Sequence, residues 1–462
     1  MRLRDFFEGA ALSGLSICAF SFSVGCHSGG TTGGGGHTTA STAAIMMTST
    51  TDTTSVSGTT SSGGMCSKLP PSGFVNIAQG ANVGYDLALT TDENGAPIVA
   101  WSEGPLMMPV TIWVKRWDAC TGAWGQQLKV DGGFRQTTNS SPTPVSHNVA
   151  LAYDHSNGTI GVAYQTEDPT DFHLEIRYAE LPKGATGFAT SPAVAAQMPN
   201  SGSYGLYSPG LALTGGTAHL FYQVSTALCG GTCPGLVYRT RTAGTWTSEM
   251  VVPNSQGGND VFGVTSVQLD SAGIPGVAFQ AMPDPDTTHY VEYWHPGMAM
   301  AAVVMKKAQT DDEPGVALTF DGTKPRIAAT LLDFLNPPGL WFSSSDDGTT
   351  WTAPTGIETD GAFASMWVAI AMSSSGETAI VSTDQGADPG QPAATCGDPK
   401  ISRSTMIPTF KTSCPAKSEF NTNYEYVQAA YGLDNKLQMA FRLPMTDAAS
   451  GLSGGVIYWR DK

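Results

Sequence analysis

The sequence predicts an all-β chain folded as a seven-bladed β-propeller, and three observations lead to this prediction. A two-strand pattern recurs seven times, at intervals of roughly 57 residues. In the clearest repeats two further strand-like runs follow the pattern, which makes four antiparallel strands per unit. A lone strand-like run, Gly73–Ile77, precedes the first repeat, and the last repeat lacks a fourth strand.

Each pattern consists of an apolar run, a turn of Gly, Asp, Asn or Ser, and a second apolar run. The runs are short and rich in Val, Ile and aromatic residues, and Gly and Pro interrupt them, so strands are favoured over helices. A four-stranded sheet cannot bury both faces by itself, but sheets packed around a common axis can. The seven patterns end at Trp101, Tyr164, Tyr222, Phe279, Ala329, Ser382 and Phe441.

The two ends of the repeat region predict how the ring closes. After Phe441 the sequence holds one more strand, over 455–460, and no fourth. If residues 73–77 fill the missing place, the ring closes and exposed sheet edges are reduced. This closure predicts seven blades. Six blades is the alternative, because the fifth and sixth patterns lack the final aromatic residue.

Composition limits the classes of partner. The net charge is −16, with 39 acidic against 23 basic residues, which argues against a nucleic-acid partner because phosphate binding needs a basic face. The apolar share of 41 % is enough for a sizeable core. No run of 18 apolar residues predicts a membrane-spanning helix. The expected state is a monomer.

The first 25 residues predict a secretory signal. Arg2 and Arg4 form a short basic region, and an apolar stretch over 10–24 follows it. Small residues then precede Cys26, as expected near a cleavage site.

The residues around Cys26 resemble the lipobox of bacterial lipoproteins. Gly25 before the cysteine fits that motif, whereas Ser23 departs from the usual Leu. The resemblance implies cleavage before Cys26, acylation of that residue and a membrane contact through the lipid. His27 in place of Asp implies the outer membrane. A plain signal peptide with a chance cysteine is the alternative.

A segment over 26–70 is predicted to be a disordered tether. Residues 27–64 consist almost entirely of Thr, Ser, Gly and Ala, with Asp52 as the one charged side chain. Such a composition buries too little apolar area to fold. The organisation is therefore signal 1–25, tether 26–70 and propeller 71–462, in an exported protein facing either the periplasm or the cell surface.

Cysteine usage agrees with export. Six cysteines lie outside the signal and the lipid site, and an even number in an exported chain suggests disulfides. Proximity in sequence favours three of the fifteen possible pairs: Cys229–Cys233, Cys396–Cys414 and, by remainder, Cys66–Cys120. A zinc site is disfavoured because no His lies at ligand spacing near the close pair. No cofactor is expected.

The fifth repeat carries the most specific motif. Residues 344–351 read SSDDGTTW and fit the pattern Ser-x-Asp-x-Gly-x-Thr-Trp. This resembles the Asp-box of sialidase-like (BNR-repeat) propellers, which lies at the turn between a blade's third and fourth strands. The resemblance implies a structural role, on the side away from the active-site mouth, for Ser344, Asp346, Gly348, Thr350 and Trp351.

The resemblance can be tested for sialidase chemistry, which uses three arginines to grip a carboxylate. Most arginines of this chain map to third strands, toward the outside. Of all the arginines, only Arg135 and Arg442 map to the mouth. Because three are needed there, sialidase chemistry is disfavoured.

Acidic residues dominate the loops that map to the mouth. They suit a glycosidase carboxylate pair or a Ca²⁺ site, while solvated loop residues of an acidic protein are the plainer interpretation. The candidate mouth residues are Glu103, Asp168, Asp284, Asp286, Asp333, Asp384 and Arg442.

Three functions follow as hypotheses. The leading one is a non-catalytic module that binds a glycan or an envelope protein through its loops. The second is a glycoside hydrolase or lyase that uses mouth carboxylates. The third is a structural envelope protein without a specific ligand. A desolvated carboxyl at the mouth would favour the second.

Overall fold

Strands make up the regular structure of this chain in the computed structural model. The model describes residues 66–80, 82–104, 109–134, 148–168, 170, 173–198, 205–225, 235–255, 260–282, 288–308, 315–331, 339–358, 365–384, 399–415, 425–444 and 452–462. In this part of the chain no helical segment has the length and apolar character needed to cross a bilayer. The expected signal and Cys26 lie outside the described residues.

The first three blades follow one another along the chain. Blade 1 contains β2 (Val83–Thr91), β3 (Pro97–Glu103), β4 (Val110–Asp118), β5 (Ala123–Trp124) and β6 (Leu128–Phe134). Blade 2 contains β7 (Val149–Asp154), β8 (Thr159–Glu167), β9 (Leu174–Leu181) and β10 (Ala193–Met198). Blade 3 contains β11 (Gly205–Thr214), β12 (Thr217–Ser225), β13 (Gly235–Thr242), β14 (Thr245–Trp246) and β15 (Met250–Val251).

Four more blades complete the molecule. Blade 4 contains β16 (Asp260–Leu269), β17 (Pro275–Met282), β18 (Thr288–Trp294) and β19 (Ala302–Ala308). Blade 5 contains β20 (Val316–Asp321), β21 (Lys324–Leu331), β22 (Gly339–Ser344) and β23 (Thr355–Glu358). Blade 6 contains β24 (Ser365–Met372), β25 (Thr378–Asp384), β26 (Lys400–Met406) and β27 (Thr409–Ser413). Blade 7 contains β28 (Glu425–Tyr431), β29 (Leu437–Leu443), β30 (Gly455–Arg460) and β1 (Gly73–Gln79).

Each blade is an antiparallel sheet whose strands pair in chain order, with three exceptions: β6 pairs with β4, β15 pairs with β13, and β1 forms the outermost strand of blade 7. The first strands of neighbouring blades contact one another all the way round, and the ring closes where β28 meets β2. The prediction of a seven-bladed propeller is therefore confirmed, and the six-bladed alternative is excluded.

Closure of the ring depends on the strand that precedes the first blade. β1 pairs antiparallel with β30, with Phe74 opposite Trp459 and Val75 opposite Tyr458. Phe74 also packs edge-on against Phe441 of β29, at 6.1 Å between ring centroids. The two ends of the propeller thus share one sheet, as the sequence predicts.

The residues just before β1 are attached to blade 1, in addition to a hydrogen bond that Arg460 of blade 7 donates to the Pro70 carbonyl. A disulfide joins Cys66 to Cys120 in the turn after β4, which confirms that expected pair. The indole N–H of Trp117 donates to the Lys68 carbonyl at 2.6 Å, and the Lys68 N–H donates to Ala119 O at 3.1 Å. Residues 66–70, assigned to the tether from composition, are therefore fixed to the propeller by covalent and hydrogen bonds.

The other expected disulfides are only partly visible. Cys414 is disulfide-bonded, and its expected partner Cys396 lies outside the described residues. Cys229 and Cys233 lie outside them as well, so that pairing stays a prediction.

Buried apolar side chains fill the spaces between neighbouring blades. Ile98 of blade 1 and Ile160 of blade 2 belong to one cluster, at 2 % and 1 % exposed. Phe221 of blade 3 and Phe279 of blade 4 belong to another, and both are fully buried. Apolar burial between sheets is the main favourable term for folding, so each blade depends on its two neighbours.

The turn at residues 345–350 follows the third strand of blade 5, where the Asp-box resemblance expects it. The carboxylate that holds the turn belongs to Asp347, which accepts the N–H groups of Thr349 and Thr350 at 2.8 and 2.7 Å. Asp346, the residue at the motif's Asp position, has a side chain 84 % exposed and pairs with Lys324 instead. Gly348 has φ of 74°, a left-handed conformation that glycine adopts without a Cβ penalty.

Other residues of the motif tie blade 5 together. Ser344 is 8 % exposed and its N–H donates to Thr352 Oγ1 at 3.1 Å. Thr350, at the exposed end of the turn, donates its backbone N–H to Asp347.

In three blades, a tryptophan that follows the third strand packs against a tyrosine of the preceding blade. Trp351 lies edge-on to Tyr293 of blade 4 at 5.5 Å between centroids. Trp246 lies against Tyr178 of blade 2 at 5.7 Å, and Trp124 lies against Tyr458 of blade 7 at 5.2 Å. Such aromatic pairs add to the area buried between blades.

Replacing Ile77 with Ala tests the contribution of β1 to the closed ring. Ile77 is 3 % exposed and belongs to the cluster shared by blades 6, 7 and 1. We expect the free energy of unfolding to fall by about 3 kcal/mol, because a buried cavity is left behind. Urea unfolding followed by circular dichroism measures this loss.

The matched control is Val194→Ala on β10, where the side chain is 45 % exposed. This control should change the unfolding free energy by no more than about 0.5 kcal/mol. Equal midpoints for the two variants would show that β1 adds nothing to the ring.

Candidate functional site

The mouth of the propeller lies where the first strand of each blade begins and its second strand ends. These two ends meet because consecutive strands are antiparallel. In blade 1 they are marked by Asp86 near the start of β2 and by Ser102 near the end of β3, where the Asp86 N–H donates to Ser102 Oγ at 3.1 Å.

A ring of seven buried polar residues lies at this level. Each directly follows the residue that ends the repeated two-strand pattern, so the seven are equivalent by register. All are between 0 % and 5 % exposed: Ser102, Gln165, Gln223, Gln280, Thr330, Thr383 and Arg442. Of these, only Arg442 was expected from the sequence as a mouth residue.

Hydrogen bonds from this polar ring hold the starts of the first strands. The amide of Gln223 donates to Thr265 Oγ1 of the next blade at 2.9 Å. Thr330 Oγ1 accepts the N–H of Gly315 at 2.7 Å. Arg442 Nε donates to the Val83 carbonyl at 3.3 Å, from blade 7 to blade 1. Since buried polar groups need partners, the ring positions the rim of the mouth.

Asp86 is a buried acid at the level of this ring. It is 4 % exposed, and its Oδ1 accepts the N–H of Asn148, at the start of blade 2, at 3.0 Å. Burial raises the pKa of Asp86 from 3.8 to about 8, although the Asn148 hydrogen bond and the charge of Arg442 act in the opposite direction. Burial therefore favours the protonated form of this carboxyl.

Arg442 approaches Asp86 across the junction between the last and first blades. Gly84 leaves room for this approach: a Cβ there would lie 2.9 Å from Val456 Cγ2 and 3.5 Å from Arg442 Cγ. Gly84 also has φ of 82°, so two constraints favour glycine at this position. The junction thus brings the charge of Arg442 within electrostatic reach of Asp86.

The other predicted mouth residues do not form a cluster in the described part of the chain. Glu103 ends β3 and is half-buried. Asp168 follows β8, and its Oδ1 accepts the N–H of Thr170 at 2.7 Å, so this carboxylate stabilises its own turn. Asp384 ends β25, with a side chain outside the described set. Asp284, Asp286 and Asp333 lie outside the described residues.

A cluster of charges between blades 1 and 2 was not expected from the sequence. Arg177 bonds Glu175 Oε2 at 2.6 Å and Asp131 Oδ2 at 2.9 Å, and the Tyr164 hydroxyl donates to the same Asp131 oxygen at 2.8 Å. His173 Nε2 lies 3.1 Å from Glu175 Oε1. These mutual contacts indicate a structural role, which leaves Asp86 as the stronger candidate for chemistry.

No group of three or more His, Cys, Asp or Glu side chains in the described ranges could hold a metal ion. The arrangement therefore offers acid–base chemistry through Asp86, and the Ca²⁺ hypothesis gains no donor set from these residues.

Comparisons with known proteins give similarities to solved structures and none in sequence. No protein-family model matches the chain, and no curated protein matches it. The chain is similar to the polysaccharide lyase Uly1 at 13 % identity and a TM-score of 0.49, covering 83 % of this chain and 91 % of that one. It is similar to a Penicillium chrysogenum α-L-arabinanase, complexed with arabinobiose, at 9 % identity and a TM-score of 0.49, covering 85 % and 99 %.

A third similar structure is the K499G mutant of NanB sialidase from Streptococcus pneumoniae. The identity is 10 % and the TM-score 0.43, with 84 % of this chain and 70 % of that chain covered. Likeness at this level carries no conclusion about activity, so the function rests on the site itself.

Replacing Asp86 with Asn should change how stability depends on pH. Unfolding lets the wild-type carboxyl ionise above about pH 4, whereas the folded state keeps the proton to about pH 8. The wild type should therefore lose stability relative to Asp86→Asn between these values, by about 6 kcal/mol at most, since one pKa unit corresponds to about 1.4 kcal/mol. Urea unfolding at several pH values measures the difference.

Asp154→Asn supplies a control of opposite sign. Burial acts to raise the pKa of Asp154, but hydrogen bonds from Ser156 and Gly216 outweigh it and lower that pKa. The wild type should therefore be the more stable of this pair above about pH 4, and its advantage should fade as the pH falls further. Parallel pH curves for wild type and Asp86→Asn would contradict a raised pKa at Asp86.

Proposed function

We propose that the mouth is a glycan-cleaving site, of a glycoside hydrolase or lyase, in which Asp86 acts as the general acid. The observation that carries this proposal is the buried Asp86 carboxyl at the mouth, beside Arg442. A protonated carboxyl can transfer its proton to the oxygen of a leaving sugar.

Residues around Asp86 suit this role. The Asn148 N–H donates to Asp86 Oδ1 and so orients the carboxyl, and the positive charge of Arg442 acts on the same group. A cleavage reaction also needs a base or nucleophile. Glu103 is proposed for that role because it ends β3, the strand that pairs with the Asp86 strand.

Non-catalytic binding of a glycan or an envelope protein is the second candidate. The observation that favours it is Asp168, whose Oδ1 accepts the N–H of Thr170 and so stabilises a loop at the mouth. Binding of a glycan without release of product would separate this candidate from the first.

Asp86→Asn should abolish cleavage while leaving glycan binding intact. We expect a fall of about 100-fold or more in kcat, because the amide cannot donate the catalytic proton. Wild-type activity should decline as the pH rises past about 8, where the acid ionises. A panel of polysaccharides, with assays for new reducing ends and for unsaturated products, measures both effects.

Glu292→Gln is the matched control, since Glu292 is also a fully buried carboxyl whose pKa is raised by burial. Glu292 lies on β18 of blade 4, and its Oε1 accepts a hydrogen bond from the Ser255 hydroxyl at 2.5 Å. This variant should keep its activity. Equal activity in Asp86→Asn and wild type would rule out the acid role, and binding without any cleavage by wild type would favour the second candidate.

We also propose that the protein is exported and held at the outer membrane by lipid on Cys26, as a monomer. The Cys66–Cys120 disulfide supports export, because disulfides persist in oxidising compartments. The acidic balance of the chain disfavours nucleic acid as a partner.

Cys26→Ser should release the protein from membranes. We expect wild type to incorporate labelled palmitate and to sediment with the outer-membrane fraction, and the variant to do neither. Cys66→Ser serves as control, because it removes a cysteine of the folded body and should leave labelling unchanged. Equal labelling of wild type and Cys26→Ser would disprove the lipid anchor.

A further inference from the structure

The disulfide that precedes β1 closes a short clasp, residues 66–70, on the side of the propeller opposite the mouth. Its second cysteine, Cys120, lies in the turn between β4 and β5. Cys66 and Cys120 both line an open groove of about 500 Å³ between blades 1 and 2, and Cys120 is exposed. Exposed disulfides are the labile ones, whereas buried structural bridges resist reduction. A thiol can therefore reach this bridge in the folded protein.

Hydrogen bonds alone give the clasp little stability. The indole N–H of Trp117 donates to Lys68 O at 2.6 Å, and the Lys68 N–H donates to Ala119 O at 3.1 Å. Lys68 Nζ adds a longer bond to Thr121 O at 3.4 Å. The net contribution of a few hydrogen bonds is no larger than the backbone freedom that these residues gain when the clasp opens. The bridge therefore decides whether the clasp stays closed.

The clasp contains the first basic residue of the folded body, Lys68. No Lys or Arg occurs between residues 5 and 67, and Lys68 is exposed. A protease that is specific for basic residues therefore finds no site in that stretch. The bond between Lys68 and Leu69 is the first one that it meets afterwards.

The closed clasp protects this bond. Its carbonyl is the Lys68 oxygen that Trp117 holds, and there is a fixed point on each side of it. One is the bridge at Cys66, and the other is Pro70, whose carbonyl accepts Arg460 Nη1 at 3.1 Å. Proteases cut segments that open locally, so a bond between two fixed points is cut slowly.

A cut at this bond has different results in the two redox states. With the bridge closed, the residues up to Lys68 stay attached to blade 1 through Cys66 and Cys120. With the bridge reduced, they separate from the body. The propeller keeps all its strands in both cases, because β1 begins only at Gly73, after the cut.

We propose that the clasp is a redox-controlled release site. Reduction of the bridge makes the Lys68–Leu69 bond accessible, and its hydrolysis by a protease specific for basic residues frees the propeller from the preceding chain. Neither step involves Asp86 or the mouth, so the proposal is independent of the proposed function.

The reductant is a dithiol. One of its thiolates attacks the exposed sulfur of Cys120 and displaces Cys66 as a thiolate. The second thiol of the reductant then displaces Cys120, so the bridge takes up two electrons and two protons while the dithiol becomes a disulfide. Hydrolysis adds one water and leaves a carboxylate on Lys68 and an amine on Leu69.

Limited digestion of the folded, full-length protein with trypsin tests the proposal. The informative variant carries both Cys66→Ser and Cys120→Ser, which remove the bridge without exposing the protease to a reductant. We expect the Lys68–Leu69 bond to be cut faster in this double variant than in wild type, by about tenfold or more, because local opening is no longer restrained. Mass spectrometry of the fragments measures the rate at each bond.

The Lys183–Gly184 bond is the internal control. It lies in an exposed turn after β9 of blade 2, away from the bridge, and should be cut at the same rate in both proteins. Adding Lys68→Gln to the double variant should abolish the accelerated cut and leave the cut at Lys183 unchanged.

A second measurement uses wild type alone. Dithiothreitol is added under native conditions, the new thiols are alkylated, and circular dichroism follows the fold. We expect Cys66 and Cys120 to be labelled while the β-sheet signal stays constant, and the alkylated protein to be cut at Lys68 like the double variant.

Three results would overturn the proposal. The first is labelling of the bridge only as the β-sheet signal is lost. The second is equal cleavage at Lys68 in wild type and the double variant. The third is an acceleration at Lys183 as large as that at Lys68, which would show general loosening of the propeller and not an opened clasp.

Discussion

The pairing of β1 with β30 is the constraint on which the rest of the molecule depends. It makes one sheet from the two ends of the propeller, and it sets blade 7 against blade 1. A repeat array without this pairing would expose two unprotected edges and a half-covered apolar face. In the closed ring every blade packs against two neighbours, so the loss of one interface between blades lowers the stability of the whole ring.

The candidate site is itself a product of this closure. Arg442 belongs to β29 of blade 7 and Asp86 to β2 of blade 1, and they are more than three hundred residues apart in the chain. Only a closed ring places them side by side. At the other six positions of the polar ring the side chain is a neutral hydroxyl or amide, which brings no charge to the rim of the mouth. The junction therefore differs chemically from the other six interfaces.

The blade count and the closing strand could be predicted because alternation, turn residues and repeat spacing are local signals. Asp86 could not, because an acid inside an apolar strand looks like a solvated residue until its neighbours from other blades are known. The polar ring could have been found in the sequence, because a polar residue directly follows the end of each two-strand pattern. The sequence does not show that these residues are buried. Likewise, two adjacent acids in SSDDGTTW are indistinguishable by motif, and backbone geometry assigns the turn to Asp347 and not to Asp346.

The Cys66–Cys120 bridge has a mechanical consequence. If the chain before Cys66 leads to a membrane, any tension along it would otherwise load β1 from its end, where strand pairs separate one at a time under little force. The bridge instead passes that load into the turn of blade 1, with the Trp117–Lys68 hydrogen bond beside it. Because β1 follows Cys66 in the chain, the disulfide bears the tension before it reaches β1. A pulling force on the preceding segment therefore does not separate β1 from β30.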